Sequence, residues 1–380
     1  MGMVSNYYLL FKTAQSEFRA WKNISEEVRS VPIPIIEYTR GKKVPGTGKD
    51  VDESLWSTTP GIYKFSENVR KVDESFSICD KIFLDLTRED ELSCFEIEKL
   101  SASDDGYICW AKFVQERASA LNGVIPILQI NPSDAEGAEK HKENIISQLS
   151  RFMNQFEGVA YRASVLIDRD FVYDLVVLKE YINEYIQGGK KFYVILDHEF
   201  IRPGTSIVHA ARTLGIIKNI KNIVPRSTIV TLATSFPRVI DDIGDPEHDN
   251  FPIEEIFLNE QINDHIDGDI IEYGDYGSIN PTRSDLKFAT GWRPRIDFPT
   301  SKNRTFYYRE KRVKEYVDHY ISVAKNVISD PMYEDVGSCW GQRMIELAAH
   351  GRPQGKSPSF WISVRMDIHV HQQLRRLGIL

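Results

Sequence analysis

Nine polar residues, each ending or following a short apolar run, are the side chains of this 380-residue sequence best suited to chemistry. They are Lys12, Glu37, Asp85, Gln129, Arg162, Asp197, Ser235, Asp275 and Tyr276. Carboxylates hold divalent cations through oxygen, and a pair of them acts as acid and base when their pKa values differ. Lysine and arginine bind phosphate or carboxylate groups. Brought together, these residues would form a ligand site, although the sequence does not show which of them are catalytic.

No sequence motif identifies a reaction. The triplet Asp197-His198-Glu199 has metal-binding residue types, but neighbouring side chains of a strand point to opposite faces, so the three would not meet at one ion. His369 and His371 lie two residues apart on a predicted helix and also face different directions. The sequence therefore leaves the metal and any cofactor undetermined, with a divalent cation at the carboxylates as the one candidate. Whether the protein is an enzyme stays open.

Eight short apolar runs recur along the chain, and most precede a segment whose apolar residues have helical spacing. The runs are 7–12, 33–38, 81–86, 124–130, 159–163, 192–196, 228–233 and 270–273. Runs such as FYVIL and TIVTLA are apolar throughout, which is typical of parallel strands covered by helices. We predict an α/β fold, a (β/α)8 TIM-like barrel over residues 1–285. An open, doubly wound sheet uses the same alternation and is the alternative; the count of eight favours the barrel.

A barrel would bring the nine polar residues together. The C-terminal ends of its parallel strands share one mouth, which is where such barrels place their functional groups. Each residue taken alone has a simpler explanation, because strand ends are polar where loops begin and an aspartate there often stabilises a turn. For the set as a whole, we expect a ligand site at the mouth.

The rhythm of the chain changes near residue 286. Residues 292–298 and 305–308 predict a β-hairpin around the turn TSKN, and 313–328, 339–350 and 360–377 have helical spacing. We therefore predict a C-terminal hairpin and helical subdomain over residues 286–380, packed on the barrel.

Aromatic and basic residues of this C-terminal region are candidates for an interface. They are Trp292, Arg293, Arg295, Tyr307, Tyr308 and Arg309. Such residues concentrate binding energy at protein interfaces, and they also stack on nucleic acids and neutralise them. We rank packing on the barrel first, contact with another protein second and nucleic acid third.

Composition argues against several classes of protein. The formal net charge of −8 disfavours broad binding to nucleic acid or to membrane surfaces, which needs a large basic face. No apolar run approaches the length of a membrane span. The four cysteines lack the spacing of a disulfide framework, and the N-terminus lacks a secretory signal. We expect a cytoplasmic protein.

Several segments together resemble the beta family of bacterial prophage and satellite-phage proteins. They are YYLLFKTAQSEFRAWKNISEEVRSVPIPIIEYTR, LDLTRE, VILDHEF and SFWISVRMDIHVHQQL. The resemblance covers nearly the whole chain. It implies a mobile-element protein of an antiphage-defence or toxin–antitoxin module, since the family's namesake is associated with restraining a neighbouring growth-inhibiting gene. The family offers no established catalytic residues to transfer to this sequence.

Two functions remain as hypotheses. The first is a regulatory protein that binds another protein of the same defence locus, favoured because no strong catalytic motif is present. The second is a metal-assisted hydrolase that acts at the barrel mouth on a phosphate-containing substrate, a nucleotide or nucleic acid. The ring of carboxylates with Lys12 and Arg162 motivates the second hypothesis.

Overall fold

Eight parallel strands form the central sheet in the computed structural model of this protein. Numbered in chain order, they are β1 (Tyr7–Lys12), β2 (Ile33–Tyr38), β3 (Ile82–Leu86), β4 (Val124–Pro126), β5 (Gly158–Ser164), β6 (Lys191–Phe200), β7 (Thr228–Thr234) and β9 (Glu272–Asp275). The structure describes residues 6–43, 63–131, 137–166, 168, 171–282, 293–311 and 316–379.

The sheet closes into a barrel. Its hydrogen-bonded order is β4-β3-β2-β1-β9-β7-β6-β5. The two outermost strands meet just beyond β4, where Ile127 and Ala160 form a parallel bridge. The Leu128 amide donates to the Ala160 carbonyl at 2.8 Å. The predicted TIM-like barrel is therefore confirmed, and the alternative of an open, doubly wound sheet is wrong.

Helices follow most of the barrel strands and cover the sheet. They are α1 (Gln15–Asn23), α2 (Glu26–Arg29), α3 (Phe65–Phe76), α4 (Phe95–Ser101), α5 (Asp104–Arg117), α6 (Ala138–Met153), α7 (Phe171–Gln187), α8 (Ser206–Ile223) and α9 (Glu254–Asn263). In α6, Ile145, Leu149 and Phe152 recur at helical spacing and form its buried face. Gly189 ends α7 with a φ of +84°, a conformation that glycine adopts without a Cβ clash.

Side-chain alternation divides each barrel strand between two cores. In β1, Tyr8 and Leu10 belong to the core inside the barrel, whereas Tyr7, Leu9 and Phe11 pack under the helices. Both faces are apolar because both are covered, and every residue of β1 is buried. The same alternation decides which strand-end side chains face the mouth.

The C-terminal region contains the predicted hairpin and helices. The hairpin strands are β10 (Arg295–Pro299) and β11 (Arg304–Arg309), and the helices are α10 (Tyr316–Ile328), α11 (Trp340–Ala349) and α12 (Pro358–Arg376). The hairpin pairs with a third strand, β8 (His248–Pro252), in an antiparallel sheet of order β10-β11-β8. Strand β8 begins inside the acidic, turn-rich stretch after β7, where no sequence pattern predicts a strand.

Helix α12 packs against both parts of the molecule. Met366, Val370 and Leu374 join the core under the barrel helices, while Val364 and Ile368 join the C-terminal core. The helix also packs on α1. The predicted boundary at residues 285 and 286 stays a prediction, because β8 and α12 connect the two regions. Within the described ranges, no helix is both long and apolar enough to cross a membrane.

Candidate functional site

The barrel brings seven of the nine predicted polar residues together at its mouth. They are Lys12, Glu37, Asp85, Gln129, Arg162, Asp197 and Tyr276, which we call the mouth cluster. Six of them follow an inward-facing apolar residue two positions earlier, as Lys12 follows Leu10 and Asp197 follows Ile195, whereas Tyr276 follows Gly274. The period of two along a strand therefore carries these side chains into the barrel.

Arg162 is the centre of the mouth cluster. Its Nε and Nη2 donate to Asp197 Oδ2 at 2.9 and 2.7 Å. Its Nη1 donates to Glu37 Oε2 and to Asp85 Oδ2, both at 2.8 Å. A second bond from Nη2 reaches the Tyr276 hydroxyl at 3.2 Å. A guanidinium group has five N–H donors, so all five are used within the protein.

The remaining members extend this network. Lys12 Nζ lies 2.8 Å from Glu37 Oε1, and Gln129 Nε2 donates to Asp85 Oδ1 at 3.0 Å. The Tyr276 hydroxyl lies 2.7 Å from Asp197 Oδ2. All of these residues are buried. Buried charges need partners of opposite sign, and the cluster supplies them internally.

The charges of the cluster shift its pKa values in opposite directions. Burial acts to raise the pKa of Glu37, but Lys12 and Arg162 outweigh it and lower that pKa to about 2. Burial acts to lower the pKa of Arg162, but Asp197 and the other acidic partners raise it well above the ordinary value. Burial and then Asp197 raise the pKa of Tyr276. These shifts favour an ionised Glu37, a charged Arg162 and a neutral Tyr276 phenol.

Two further acidic residues, Glu89 and Glu199, lie beside the mouth cluster and were not predicted as site residues. Glu199 accepts a hydrogen bond from Ser164 Oγ at 2.6 Å and has a φ of +55°, which is strained for a residue other than glycine. The pKa of half-buried Glu89 lies above its ordinary value, because burial raises it by more than nearby Lys12 lowers it. Glu199 had a sequence signal, because it follows Asp197 by two positions; Glu89 lies in a loop and had none.

Asp275 and Ser235 lie outside the mouth cluster. Asp275 and Tyr276 are neighbours on the chain, so only one of them can point into the barrel, and that one is Tyr276. Asp275 points outwards and accepts hydrogen bonds from the hydroxyls of Tyr7 and Tyr273, each at 2.8 Å.

Asp275 contributes instead to a second buried group, which we call the Asp275 cluster (Asp275, His369, Glu255 and Ser235). His369 Nε2 of α12 lies 2.8 Å from Asp275 Oδ2, and the Ser235 amide donates to Glu255 Oε2 at 2.8 Å. Burial acts to raise the pKa of Asp275, but His369 lowers it. Burial, followed by the charge of Asp275, raises the pKa of Glu255 to about 7. This cluster joins α12 to the barrel.

The predicted interface residues mainly contact their own chain. Tyr307 is buried, and the Tyr308 hydroxyl donates to Asp330 at 2.9 Å. Arg295 and Arg309 form ion pairs with Asp297 and Asp241, and Arg293 donates to the Glu310 carbonyl. Trp292 lies outside the described residues. These contacts hold the C-terminal sheet together and tie it to the segment after β7.

The mouth cluster is therefore an organised charged centre whose arginine is fully engaged. In it, the three carboxylates surround a guanidinium. Lys12 differs from Arg162 in the number of its partners. Its ammonium group pairs with Glu37 and donates no hydrogen bond to any other described residue.

Comparison with known proteins identifies the family. The chain is 26% identical to "Protein beta" of Enterobacteria phage P4 over 376 residues, covering 97% of this chain and 93% of that protein. Among solved structures, a chitinase from Chromobacterium violaceum ATCC 12472 has a TM-score of 0.32 at 10% identity, covering 96% of this chain and 98% of that one. That likeness carries no argument. Residues 7–375 match the family described as Beta protein, and the chain belongs to this family.

Proposed function

We propose that the protein is a regulatory component of a mobile-element antiphage-defence or toxin–antitoxin module, and that it acts by binding another protein of its locus. Family membership supports the setting, since the beta-family resemblance implies such a module. The observation that carries the binding role is an apolar surface on two neighbouring barrel helices.

Exposed apolar side chains are concentrated on one side of the barrel. In the described part of the chain, nine large apolar side chains are exposed, and six of them lie on α7, at the start of α8 or just before α7. We call these six the α7–α8 surface: Leu166, Tyr173, Val176, Tyr181, Ile207 and Val208. Ile207 and Val208 are the most exposed, at 67% and 70%.

This concentration distinguishes the α7–α8 surface from the rest of the molecule. Single exposed apolar residues are normal, but groups of them mark sites of interaction. Helices α7 and α8 pack side by side after consecutive strands, so their first turns lie next to each other at the mouth end. We therefore expect a partner with a complementary apolar surface, with the tyrosines among the contact residues.

The geometry of the mouth favours binding over catalysis as the main role. The hydrolase hypothesis used Arg162 to hold a substrate phosphate. The five N–H donors of Arg162 are already hydrogen-bonded to Glu37, Asp85, Asp197 and Tyr276. Binding a phosphate would therefore require breaking buried ion pairs.

The test is capture of the protein encoded by the adjacent gene. The tagged full chain and its neighbour are produced together from the native locus and purified on the tag. The double variant Ile207→Asp/Val208→Asp places charges on the α7–α8 surface. It should reduce capture of the neighbour at least about tenfold, because each buried charge costs more than 1 kcal/mol.

A matched control separates this effect from general solubility. Ile270→Asp changes an apolar residue of 46% exposure away from the α7–α8 surface. The control should capture the neighbour as the unmodified chain does, and both variants should keep its thermal midpoint. Equal capture by the double variant would overturn the role of this surface. Absence of capture by the unmodified chain would overturn the binding function itself.

The hydrolase at the barrel mouth is a second candidate, supported by one observation. Glu89 is an acid of raised pKa beside Lys12, and such acids transfer protons in catalysis. The test is hydrolysis of phosphorylated nucleotides with a divalent cation. The Glu89→Gln variant should lose at least about 100-fold in rate, whereas Glu116→Gln on the surface of α5 should not. An equal rate in both variants would exclude Glu89 as the acid.

A further inference from the structure

Three side chains with metal-binding chemistry meet inside the C-terminal region, and none of them belongs to the mouth cluster or the Asp275 cluster. Cys339 directly precedes α11, while Asp367 and His371 lie four residues apart on one face of α12. One potential ligand atom from each residue lies within 4.8 Å of the others. All three residues are buried, with Asp367 at 0% and His371 at 5% exposure. Among the described residues, this is the group of cysteine, histidine and acidic side chains whose ligand atoms lie close enough together to hold a metal ion.

Atoms without hydrogen-bond partners give an independent sign of a missing ligand. Asp367 Oδ1 and His371 Nε2 are buried and accept no hydrogen bond in the described chain. Leaving a buried polar atom unpaired destabilises the folded chain, because the atom has lost its hydrogen bonds to water. Proteins generally satisfy such atoms, often with an ion or a water molecule.

Local geometry also fixes how His371 presents its ring. His371 Nδ1 lies 2.8 Å from the Asp367 carbonyl oxygen, which can only accept a hydrogen bond. In the neutral ring the proton therefore lies on Nδ1, and Nε2 keeps its lone pair. Nδ1 also lies 3.5 Å from Asp367 Oδ1. Metal-bound histidines characteristically donate one ring N–H to a carbonyl or carboxylate in this way.

We propose that Cys339, Asp367 and His371 bind one zinc ion. Sulfur, imidazole nitrogen and carboxylate oxygen are the ligands that zinc takes in proteins, whereas magnesium and calcium prefer oxygen alone. Three protein ligands leave one position of a tetrahedral ion for water. On binding, the Cys339 S–H bond breaks, an S–Zn bond forms and the proton passes to solvent.

A zinc ion bound by these residues would stabilise the packing of α11 on α12. The ion would join the first turn of α11 to the middle of α12, and α12 also packs on α1 and on the barrel core. An ion that binds the folded chain and not the unfolded chain stabilises the folded chain by mass action. The role is structural and does not depend on the proposed partner binding.

A simpler explanation of the cluster must be tested alongside. Cys339 Sγ donates to Asp367 Oδ2 at 3.0 Å, and the Gly341 amide donates to the same oxygen at 2.5 Å. In that explanation, Asp367 only caps the N-terminus of α11. Both explanations make Asp367 important for stability, so a metal probe must separate them.

The experiment uses the full chain after treatment with a chelator. Cobalt(II) is titrated first, because a Cys–cobalt bond gives a thiolate-to-metal charge-transfer band. Zinc is then added to displace the cobalt. We expect one cobalt per chain, loss of the band on addition of zinc, and a higher thermal midpoint with zinc than without metal.

Two cysteine variants decide between the explanations. Cys339→Ser keeps a donor for Asp367 but removes the sulfur ligand, so it should lose the band and weaken zinc binding at least about 100-fold. Cys109→Ser, at a half-buried cysteine of α5, should keep both. His371→Gln tests a second ligand in case Cys339→Ser does not fold. An unmodified chain without the band, or a band that persists in Cys339→Ser, would overturn the proposal.

Discussion

Arg162 is the residue on which the barrel mouth depends. Its guanidinium forms ion pairs with Glu37, Asp85 and Asp197, which lie on three other strands. Arg162→Met keeps much of the side-chain volume but leaves these carboxylates without that partner. We expect the free energy of unfolding to fall by about 3–5 kcal/mol, because breaking a buried ion pair leaves uncompensated charge. Urea unfolding at neutral pH measures this change.

A surface arginine provides the control for Arg162. Arg70 pairs with Glu74 on α3, and both side chains are about 60% exposed. Arg70→Met should change the free energy of unfolding by less than about 1 kcal/mol. Similar losses in the two variants would show that the mouth cluster contributes no more than a surface pair.

Glu255 should give the protein a defined pH dependence. Burial and Asp275 raise its pKa from 4.5 to about 7, so the folded protein holds this proton more tightly than the unfolded chain does. Its contribution to stability is complete below about pH 4.5 and is lost as pH rises through about 7. Between about pH 4 and pH 8, Glu255→Gln should gain about 3 kcal/mol relative to the unmodified chain. A constant difference across this range, measured by urea unfolding, would contradict the raised pKa.

At the residue scale, strand periodicity predicts where a polar side chain lies, although not what it does. Lys12, Glu37 and Arg162 were predictable because a strand end fixes both position and facing. Asp275 could not be separated from Tyr276 without the register of β9. The pairing of Asp275 with His369 spans 94 residues and depends on where α12 packs, which no local pattern indicates.

At the scale of elements, apolar runs predicted the barrel strands because their burial is continuous. Strand β8 was not predicted, because its sequence is acidic and rich in turn residues. It forms a strand by pairing with β11. The run 124–130 also forms a shorter strand than predicted, β4, with a single bridge at Ile127 beyond it. Local composition therefore predicts buried strands better than strands that exist through a distant partner.

Glycines test how closely helices pack. Gly341 lies in the first turn of α11, where α11 packs against α12, and a Cβ there would overlap the Val364 carbonyl oxygen. Gly341→Ala should therefore lower the free energy of unfolding by about 3 kcal/mol, since the backbone of α12 cannot yield easily. Gly215 lies within α8 with open space around it. Gly215→Ala should stabilise the chain by about 0.5–1 kcal/mol through its better helix propensity.

Thermal and urea unfolding of the two alanine variants measure this contrast. Both substitutions add the same methyl group inside or at the start of a helix, so propensity alone would move them in the same direction. Opposite signs would show that the approach of α11 to α12 is the cause. A stabilised Gly341→Ala variant would contradict that close packing.

For the whole molecule, α12 is the helix that joins the barrel to the C-terminal region. It supplies Met366, Val370 and Leu374 to the core under the barrel helices, and His369 to Asp275. Arg376 also lies over the Tyr273 ring at 4.6 Å. The fragment 1–285, which corresponds to the predicted barrel domain, would expose these apolar faces and leave Asp275 without its histidine.

We therefore expect the fragment 1–285 to lack a cooperative thermal transition, because it loses apolar burial and a buried charge partner together. Circular dichroism during heating measures this outcome. The control is Met366→Ala in the full chain, which removes one of the same contacts and should still fold, with a free energy of unfolding lower by about 2–5 kcal/mol. A sharp transition of the fragment near the midpoint of the full chain would mean that the barrel is an independent domain. The contacts of α12 would then be a docking surface on a barrel that folds first, since the barrel would not need the C-terminal region to reach its native state.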